Sequence, residues 1–469
     1  MRPALWSVEV PGLLKQDRWL YLWAAVCFLP TLFYYYVGEE GIFTIYSMEM
    51  WQRQQFSSVV AYGQVGGRPP LYNWLMIPLA NLIGWKHVLI AARTVTVAAT
   101  FGTAWLTGWL AQQLWRNREI SALAGLLYLT LADVLLYRGW LAYADPLFAF
   151  FIALSSVWLW AACVRRHDAF LFGALLAAFA AFLTKAITVY LFVGVTGLVL
   201  LREPAYRSYL LRRRAWLFYL AGLALPLVWM KWMGSHDAGQ GQGLLRDVLA
   251  KTALPDMQQY ALRLVAYPVE MLVRLMPASL FIGYFLLRSR RALAQSPLSV
   301  RLALWIALLN LVPYWFAPQG GVRYVLPVYP FVALAAAYLV FRPESPFQAR
   351  RWVKGMLAVG LLLLTVAYPY YQSHYRGENY QHTAREILAK YGHYTLYSYN
   401  TSAAGLSVTA YIDTMRPDRP ALTFPPNDFQ EGIVLAVEPQ AVNGTLLTQY
   451  RLGGDTLYLI CRGAACTAR

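Results

Sequence analysis

Long apolar runs, separated by short polar segments, recur along most of the 469-residue chain. Several runs reach the roughly 20 residues that an α-helix needs to cross a bilayer. The pattern predicts about eleven spans. These lie near residues 18–37, 88–114, 119–138, 143–164, 168–184, 186–201, 215–233, 268–287, 301–317, 323–341 and 352–371. The predicted fold class is a polytopic α-helical membrane protein.

Composition and charge agree with this class. Hydrophobic residues make up 59% of the chain and charged residues 13%, whereas soluble domains average about 25% charged residues. Lys and Arg outnumber Asp and Glu by 40 to 23, which could indicate nucleic-acid binding. The basic residues, however, concentrate in alternate loops, as the positive-inside rule describes. We therefore expect a cytoplasmic N-terminus and, with an odd number of spans, an external C-terminus. The basic loops are residues 116–119, 164–168, 202–214, 288–301 and 342–354.

The chain is predicted to have two parts. Residues 1–371 form the transmembrane part, with a first external loop at 38–87. Residues 372–469 are too polar to span and predict a small external α/β domain. Its expected elements are a helix at 382–392 and strands at 393–400, 432–438 and 455–462. Cys461 and Cys466 lie in this tail, where a disulfide is expected if the compartment is oxidising.

The first external loop begins with two adjacent carboxylates, Glu39 and Glu40, at the end of an apolar run. Residues 42–56 predict an amphipathic helix on the membrane surface, with Glu49, Gln52 and Arg53 on its polar side. The following stretch, GGRPPLYNWLMIPLANLIG (66–84), turns at its glycines and brings the chain back. Its run of about 14 apolar residues suits an interfacial or re-entrant helix.

An acidic pair, a surface helix and a basic-Pro-Pro-Leu-Tyr-x-Trp-Leu motif resemble the polyprenyl-phosphate-dependent glycosyltransferases of the GT-C class. Aminoarabinose transferases and protein O-mannosyltransferases are the closest members. YADPLFAFF (143–151) resembles the family's second acidic site, and FLTKAI (182–187) its Thr-Lys junction. VRYVLPVYPFVAL (322–334) resembles its Arg-Tyr-x-x-Pro-x-Tyr-Pro helix. The order of the motifs matches over roughly residues 18–340.

The resemblance implies an inverting transferase that moves a monosaccharide from a polyprenyl phosphate to a lipid, glycan or protein at the periplasmic face of a bacterial inner membrane. The candidate catalytic residues are Glu39, Glu40 and Asp145. The candidate phosphate-binding residues are Arg68, Lys185 and Arg323, and the candidate substrate-binding residues are Tyr72, Tyr324 and His236. The family usually has Asp-Glu at the acidic pair and Lys at the position of Arg68. Both changes keep the charge, but which glutamate is functional stays open.

Structural alternatives exist for each candidate. Glu39 and Glu40 could interact only with a helix dipole, and Asp145 could be only an N-cap before Pro146. Arg68, Lys185 and Arg323 could anchor their segments in the headgroup region, and Arg323 could instead pair with an acidic neighbour. His236 and Asp237 lie in a Gly-rich loop that predicts solvated side chains, and Asp133 is expected to have a polar partner.

No His/Cys cluster has the spacing of a metal site, so no metal is predicted, although dependence on a divalent metal stays open. No cofactor is expected beyond the lipid-linked sugar donor. Two other functions also stay open: a secondary transporter or lipid flippase, and a non-catalytic assembly subunit. Transporters tend to have internal repeats and mid-membrane charges, whereas here the charges gather at the outer ends of the spans. The identities of the sugar and the acceptor are not predicted.

Overall fold

The computed structural model of the chain describes residues 15–66, 68–185, 187–234, 257–288, 294–318, 321–342, 345, 347–374, 380–400 and 402–467. His236 and Asp237 lie outside these residues. The helices of the first half are α1 Lys15–Phe28, α2 Glu40–Gln52, α3 Leu71–Ile83, α4 Val88–Trp115, α5 Arg118–Leu129, α6 Ala144–Arg165, α7 Asp168–Thr184, α8 Val189–Leu200, α9 Pro204–Leu210 and α10 Arg213–Gly234. They are followed by α11 Met257–Arg274, α12 Ala278–Arg288, α13 Leu298–Phe316, α14 Tyr329–Val340, α15 Ala349–Leu362, α16 Tyr368–His374, α17 Tyr380–Tyr391 and α18 Ala403–Met415.

Within the described residues, six helical segments are long and apolar enough to cross a bilayer. A seventh span results if α11 and α12, which meet at an angle of 109°, form one broken span. Helices α3, α7 and α8 are apolar but shorter. The predicted class of polytopic helical membrane protein is confirmed.

The spans predicted at 18–37 and 268–287 are not single helices. The helix predicted at 18–37 ends at Phe28, because Pro30 follows and the chain continues as a 3-10 turn, Pro30–Phe33. The helix predicted at 268–287 is divided between α11 and α12. Pro277 lies at this break, where a proline cannot donate the backbone hydrogen bond that would continue the first helix.

Small residues bring helices of the membrane part into close contact. A Cβ added to Gly108 of α4 would lie 2.7 Å from the carbonyl oxygen of Ser121 in α5. A Cβ on Gly125 of α5 would lie equally close, 2.7 Å, to the carbonyl oxygen of Ala104 in α4. The two backbones therefore touch, as is common where membrane helices pack through small residues.

A short hairpin follows α2. Strands β1 Val59–Ala61 and β2 Gln64–Gly66 pair antiparallel. Tyr62 and Gly63 form the turn with φ angles of 54° and 79°, the two positive values that a tight hairpin turn of this kind requires. The segment then returns through α3, so the short apolar helix predicted there is confirmed.

The prediction that Glu49 lies on a polar face of α2 is wrong, because its side chain is buried. The Glu49 carboxylate accepts hydrogen bonds from the backbone N–H groups of Tyr62 and Gly63, the latter at 2.9 Å. The hairpin turn thus supplies the donors that a buried carboxylate needs. Helix α2 is packed between protein segments rather than exposed along one face.

The C-terminal residues form a four-stranded sheet with two helices. Its strands are β3 Leu396–Tyr399, β4 Gly432–Ala436, β5 Thr445–Leu452 and β6 Asp455–Arg462, in the order β3-β4-β6-β5. β3 and β4 are parallel, and the other pairs are antiparallel. The helix and the three strands predicted in this region are confirmed. Cys461 and Cys466 form a disulfide at the end of β6.

The C-terminal region contacts α2 directly. The Gln52 side-chain amide donates to the carbonyl of Arg419 at 3.0 Å, and its oxygen accepts from the backbone N–H of Ala421 at 2.9 Å. The N–H of Phe424 donates to the carbonyl of Tyr62 at 3.2 Å. These contacts fix the orientation of α2, at whose N-terminus Glu39 and Glu40 lie.

Candidate active site

Glu40 is a fully buried carboxylate with all of its hydrogen-bonding capacity in use. Arg93 of α4 donates to Oε1 from Nε at 3.0 Å and to Oε2 from Nη2 at 2.5 Å. The backbone N–H groups of Val37 and Ala142 donate to the same carboxylate at 2.8 and 2.6 Å. Glu40 therefore ties together α4, the loop before α2 and the loop before α6.

The same arginine, Arg93, also binds the backbone of the loop that leads into α2. Arg93 donates to the carbonyl oxygens of Thr31, Tyr34 and Tyr35 at distances of 2.8, 2.7 and 2.8 Å. Without these bonds, the backbone carbonyls would be left unsatisfied away from water. The chain then turns at Gly38, whose φ is +59° and where a Cβ would lie 2.5 Å from the Tyr143 hydroxyl oxygen. A glycine is needed here for both the turn and the close approach.

Glu39 points away from this buried anchor. Its side chain is 55% exposed, and its Oε2 lies 3.4 Å from Nη1 of Arg323. Its backbone N–H donates to the hydroxyl of Tyr143 at 2.8 Å, which fixes the position of the residue. The two adjacent glutamates thus face different environments: Glu40 is enclosed, while the carboxylate of Glu39 is accessible to a reactant.

Asp145 and Lys185 form a second ion pair. Lys185 Nζ, at the end of α7, donates to Oδ1 of Asp145 in the first turn of α6. The N-terminal cap of α6 is Tyr143, so the interpretation of Asp145 as only an N-cap is wrong. The carboxylate binds a lysine from another helix instead, and Lys185 points into the protein rather than outward to the headgroups.

Tyr324 connects the two carboxylate sites. Lys185 Nζ lies 4.5 Å from the centre of the Tyr324 ring, a distance typical of a cation–π contact. On the other side, Nη2 of Arg323 lies 3.4 Å from the Tyr324 hydroxyl. Glu39, Arg323, Tyr324, Lys185 and Asp145 therefore form one continuous series of contacts, which we call the outer cluster.

Arg68 contacts the ring of Tyr46, which lies near Glu39 of the outer cluster. Its guanidinium carbon lies 5.8 Å from the centre of the Tyr46 ring. Burial raises the pKa of Tyr46, while the Arg68 charge lowers it and the Glu39 charge raises it. Both charges are thus near the same phenol. Arg68 itself is exposed immediately before the prolines that lead into α3, so its guanidinium is free to contact a ligand at the mouth of the site.

The balance of charge indicates the kind of ligand that suits this site. Arg68, Lys185 and Arg323 contribute three positive charges, while Glu39 and Asp145 contribute two negative charges. The group therefore has an excess of one positive charge, which an anion carrying one or two negative charges would offset. Guanidinium and ammonium groups are also the side chains that bind phosphate oxygens most strongly.

Tyr72, which was predicted to bind substrate, does not reach the outer cluster. Tyr72 is buried behind the ring of Phe43, and its hydroxyl donates to the carbonyl of Ala92 at 3.1 Å. The structure does not bring Tyr72 to the surface of the outer cluster. Among the residues that the structure describes, no three His, Cys, Asp or Glu side chains are placed to hold a metal ion.

Arg93 and Tyr143 belong to the site but were not among the candidates predicted from the sequence. Arg93 lies within the apolar span VLIAARTVTVAAT, and a charge in such a span is a functional candidate by default, so the signal was present. Tyr143 gave no signal, because nothing in a single tyrosine predicts its contact with Glu39.

Asp133, for which a polar partner was expected, pairs with Arg138 and Arg274 and accepts from the Tyr329 hydroxyl at 2.8 Å. That prediction is confirmed.

Sequence comparison finds relatives among bacterial sugar transferases. The chain is 28% identical over 311 residues to the undecaprenyl phosphate-alpha-4-amino-4-deoxy-L-arabinose arabinosyl transferase of Pseudomonas aeruginosa strain LESB58, and 27% identical to that of strain UCBPP-PA14. Each match covers 64% of this chain and 54% of the relative. The matched region thus spans about half the length of these curated relatives. No protein-family model matches the chain.

Structure comparison finds the same group of proteins. The crystal structure of ArnT from Cupriavidus metallidurans bound to undecaprenyl phosphate matches with a TM-score of 0.70 at 15% identity, covering 96% of this chain and 99% of that one. The apo structure of the same protein gives a TM-score of 0.68 at 16% identity, covering 96% and 98%. At this identity the likeness establishes the fold. The chain is thus similar in sequence to bacterial aminoarabinose transferases and has the membrane fold of ArnT, and the resemblance to GT-C glycosyltransferases predicted from its motifs is confirmed.

Proposed function

We propose that the protein is an inverting glycosyltransferase that moves a monosaccharide from a polyprenyl-phosphate donor to a hydroxyl group of a lipid, glycan or protein. The reaction takes place at the outer face of a bacterial inner membrane. The N-terminus is then cytoplasmic, and the C-terminal sheet lies in the periplasm. The observation that carries this proposal is the outer cluster, in which an accessible carboxylate lies beside cations from separate segments of the chain.

The accessible carboxylate is Glu39, to which we assign the role of general base. The acceptor oxygen attacks the anomeric carbon of the sugar while its proton passes to the Glu39 carboxylate. The bond between the anomeric carbon and the phosphate oxygen breaks, and its electron pair leaves with the phosphate. A single displacement of this kind inverts the anomeric centre and requires no covalent enzyme intermediate.

The cations stabilise the leaving group. A polyprenyl-phosphate sugar carries one negative charge, which the positive excess of the site balances. When the glycosidic bond breaks, the phosphate gains a second negative charge. Arg68, Lys185 and Arg323 stabilise this doubly charged leaving group more than the singly charged donor, which lowers the barrier to transfer. Asp145 assists by holding Lys185, whose ammonium group has two further N–H donors available for phosphate oxygens.

The lipid tail of the donor requires an apolar surface beside the phosphate. Helix α3 begins three residues after Arg68, and its Leu75 and Leu82 side chains are 40% and 80% exposed. Trp74 of α3 also contacts Trp229 of α10, with ring centres 5.8 Å apart. An exposed apolar face that begins beside a phosphate-binding arginine suits a polyprenyl chain. The relatives' names and the ligand of the Cupriavidus structure support undecaprenyl phosphate as the carrier, and 4-amino-4-deoxy-L-arabinose is the first sugar to test.

The test uses the full chain in lipid nanodiscs with a labelled lipid-linked sugar and a mixture of candidate acceptors. We expect transfer by the wild-type protein and a loss of about a hundredfold or more in Glu39→Gln, which cannot accept the proton. Glu431→Gln, at an exposed carboxylate in the C-terminal region, is the matched control and is expected to keep the wild-type rate.

Two results would contradict the proposal. Equal rates in Glu39→Gln and wild type would exclude Glu39 as the base. Movement of the intact lipid-linked sugar across vesicle membranes, without release of polyprenyl phosphate, would indicate a flippase instead.

A further inference from the structure

Arg138 is a buried arginine that makes no hydrogen bond to any residue that the structure describes. Its side chain is 10% exposed, and its Nε lies 3.3 Å from Oδ2 of Asp133 without the geometry of a hydrogen bond. An arginine side chain offers several N–H donors, and the large majority of buried polar atoms in proteins have a hydrogen-bond partner. The guanidinium of Arg138 therefore has donors left for an acceptor outside the protein.

Asp133 does not use these donors, because other groups satisfy it. The Tyr329 hydroxyl donates to Oδ2 of Asp133 at 2.8 Å, and Nη1 of Arg274 donates to Oδ1. Arg274 has a second carboxylate as well, since its Nε donates to Oε1 of Glu270 at 2.9 Å. Of the two arginines beside Asp133, Arg274 is thus hydrogen-bonded on both sides. Arg138 is held by attraction between charges alone.

The backbone places Arg138 at the end of an unusual turn. Residues Val134–Arg138 form a π-helical turn, in which the N–H of Gly139 donates to the carbonyl of Val134 at 3.0 Å. Such turns are rare and frequently lie at functional sites. An ionisable side chain at the end of an apolar span is a functional candidate for a separate reason, because burying its charge is costly.

The segment after Arg138 is built around the outer cluster. The hydroxyl of Tyr143 accepts the N–H of Glu39 at 2.8 Å, and the Asp145 carboxylate binds Lys185. The charges of both Lys185 and Arg138 act on the Asp145 carboxylate. An anion bound beside Lys185 therefore also lies within the field of Arg138.

Asp133 links Arg138 to the segment that carries Arg323. Tyr329, whose hydroxyl binds Asp133, begins α14 directly after the 3-10 segment Val322–Val328. The charge of Arg323 acts on Asp145 as well. Cations from three separate segments of the chain thus surround one carboxylate, and Arg138 is the one among them that has no hydrogen bond within the described part of the chain.

We propose that Arg138 is a further phosphate-binding residue, whose guanidinium donates hydrogen bonds to the phosphate of the polyprenyl-phosphate donor beside Lys185. The identity of the ligand rests on the proposed function. A guanidinium can bind two phosphate oxygens at once, which an ammonium group does less well. When the glycosidic bond breaks and the phosphate gains its second negative charge, the bonds from Arg138 become stronger.

The experiment measures thermal unfolding of the full chain in detergent during titration with undecaprenyl phosphate. A ligand that binds the folded state raises the unfolding temperature according to its affinity. Undecaprenol, which lacks the phosphate, is the comparison ligand. The variants are Arg138→Gln and Arg138→Lys, and Arg274→Gln is the matched control because it removes the other cation of Asp133. The double variant of Asp133→Asn with Arg138→Gln removes the pair as a whole, so no buried carboxylate loses its cation.

We expect Arg138→Gln to weaken the apparent affinity for undecaprenyl phosphate about tenfold, as the loss of a hydrogen bond between charged groups predicts. The double variant should show the same loss, and Arg138→Lys, which keeps the charge but not the planar fork, a smaller one. Arg274→Gln should bind undecaprenyl phosphate like the wild type, and undecaprenol should bind equally to all the proteins. In transfer assays, Arg138→Gln should lower kcat as well as raise the KM for the donor, because the leaving phosphate carries the larger charge.

Three results would overturn the proposal. Equal losses of affinity in Arg138→Gln and Arg274→Gln, or recovery of affinity in the double variant, would mean that Arg138 acts only through Asp133. A raised KM for the acceptor with an unchanged affinity for undecaprenyl phosphate would place Arg138 at the acceptor instead. By contrast, a wild-type protein that binds undecaprenyl phosphate through Arg138 but transfers no sugar would contradict the proposed function and support the assignment of Arg138.

Discussion

Glu40 and Arg93 form an ion pair with an Nη2–Oε2 distance of 2.5 Å, and neither side chain has solvent-accessible surface. Arg93 also binds three carbonyl oxygens of the loop before α2. The pair thus fixes the backbone from which the accessible carboxylate of Glu39 projects. We infer that one glutamate of the acidic pair builds the site and the other performs the chemistry.

This division of roles predicts different consequences for the two glutamine variants. Glu40→Gln leaves the guanidinium of Arg93 buried without a counter-charge, and breaking a buried pair costs about 3–5 kcal/mol. We expect a large fall in unfolding temperature and a low yield of folded protein. Glu39→Gln, at a half-exposed side chain, should unfold like the wild type and lose only the transfer activity. Thermal unfolding of both variants in the same detergent, together with transfer rates, makes the comparison. A stable, inactive Glu40→Gln beside an active Glu39→Gln would reverse the assignment.

The sequence was sufficient to predict the class of fold and the members of the outer cluster. Run length alone identifies membrane helices, since only apolar helices satisfy their backbone groups inside a bilayer. The resemblance to the GT-C motifs indicates Asp145, Lys185 and Arg323 as candidates, and charges at the ends of apolar runs are functional candidates in any membrane protein. Their mutual contacts follow from the arrangement of helices, which no single run encodes.

The sequence could not separate Glu39 from Glu40, because the difference between them is a partner 53 positions away. Nor could it predict the burial of Glu49. A carboxylate in an amphipathic pattern is normally solvated. Here the backbone N–H groups of a hairpin turn replace the water molecules that the buried Glu49 carboxylate loses. In both cases the partners of the carboxylate belong to other elements, a helix 53 positions away for Glu40 and a hairpin turn 13 positions away for Glu49, although Glu49 also pairs with Arg53 one helical turn on.

The ion pair of Asp145 and Lys185 predicts the outcome of a double-variant experiment. If Lys185 binds the donor phosphate, Lys185→Gln should raise the KM for the lipid-linked sugar about tenfold or more, because one charged contact is lost. Asp145→Asn should have a smaller effect, since it leaves the positive charge in place. The double variant should be as impaired as Lys185→Gln.

A different result is expected if Lys185 does not bind the phosphate. If Lys185 served only to neutralise Asp145, the double variant would recover to the level of Asp145→Asn. Steady-state kinetics of the three variants, with kcat and KM determined separately, distinguish these cases.

The contact between α2 and the C-terminal region predicts a dependence of stability on pH. Asp413 of α18 is buried, and its Oδ1 accepts the N–H of Leu422 at 2.9 Å. The pKa of Asp413 is raised to about 7, chiefly by burial and with a smaller contribution from the Glu49 charge, although the Leu422 N–H and Arg416 oppose the rise. Burial also raises the pKa of Glu49.

A carboxyl group with a raised pKa binds its proton more tightly in the folded state. Its contribution to stability is complete below the unfolded pKa of about 4 and is lost as the pH rises through about 7. Wild-type stability should therefore fall between pH 5 and 7, by up to roughly 2–3 kcal/mol from this group. Asp413→Asn should flatten that fall, whereas Asp428→Asn, at an exposed position, should not. Unfolding temperatures measured across this range provide the check; an equal slope in wild type and Asp413→Asn would exclude Asp413 as the titrating group.

The same contact depends on Gly41 in the first turn of α2. A Cβ at this position would lie 2.7 Å from the carbonyl oxygen of Leu406 in α18, and a backbone atom cannot move aside as a flexible side chain can. Gly41→Ala should therefore cost about 1–3 kcal/mol of stability and slow transfer, because Glu39 and Glu40 move with α2. Gly355→Ala in α15 is the matched control: nothing lies within 4 Å of its added Cβ, and alanine favours a helix interior. Chemical unfolding and transfer rates test both variants, and equal behaviour of the two would mean that α2 does not need this close contact to hold the acidic pair in place.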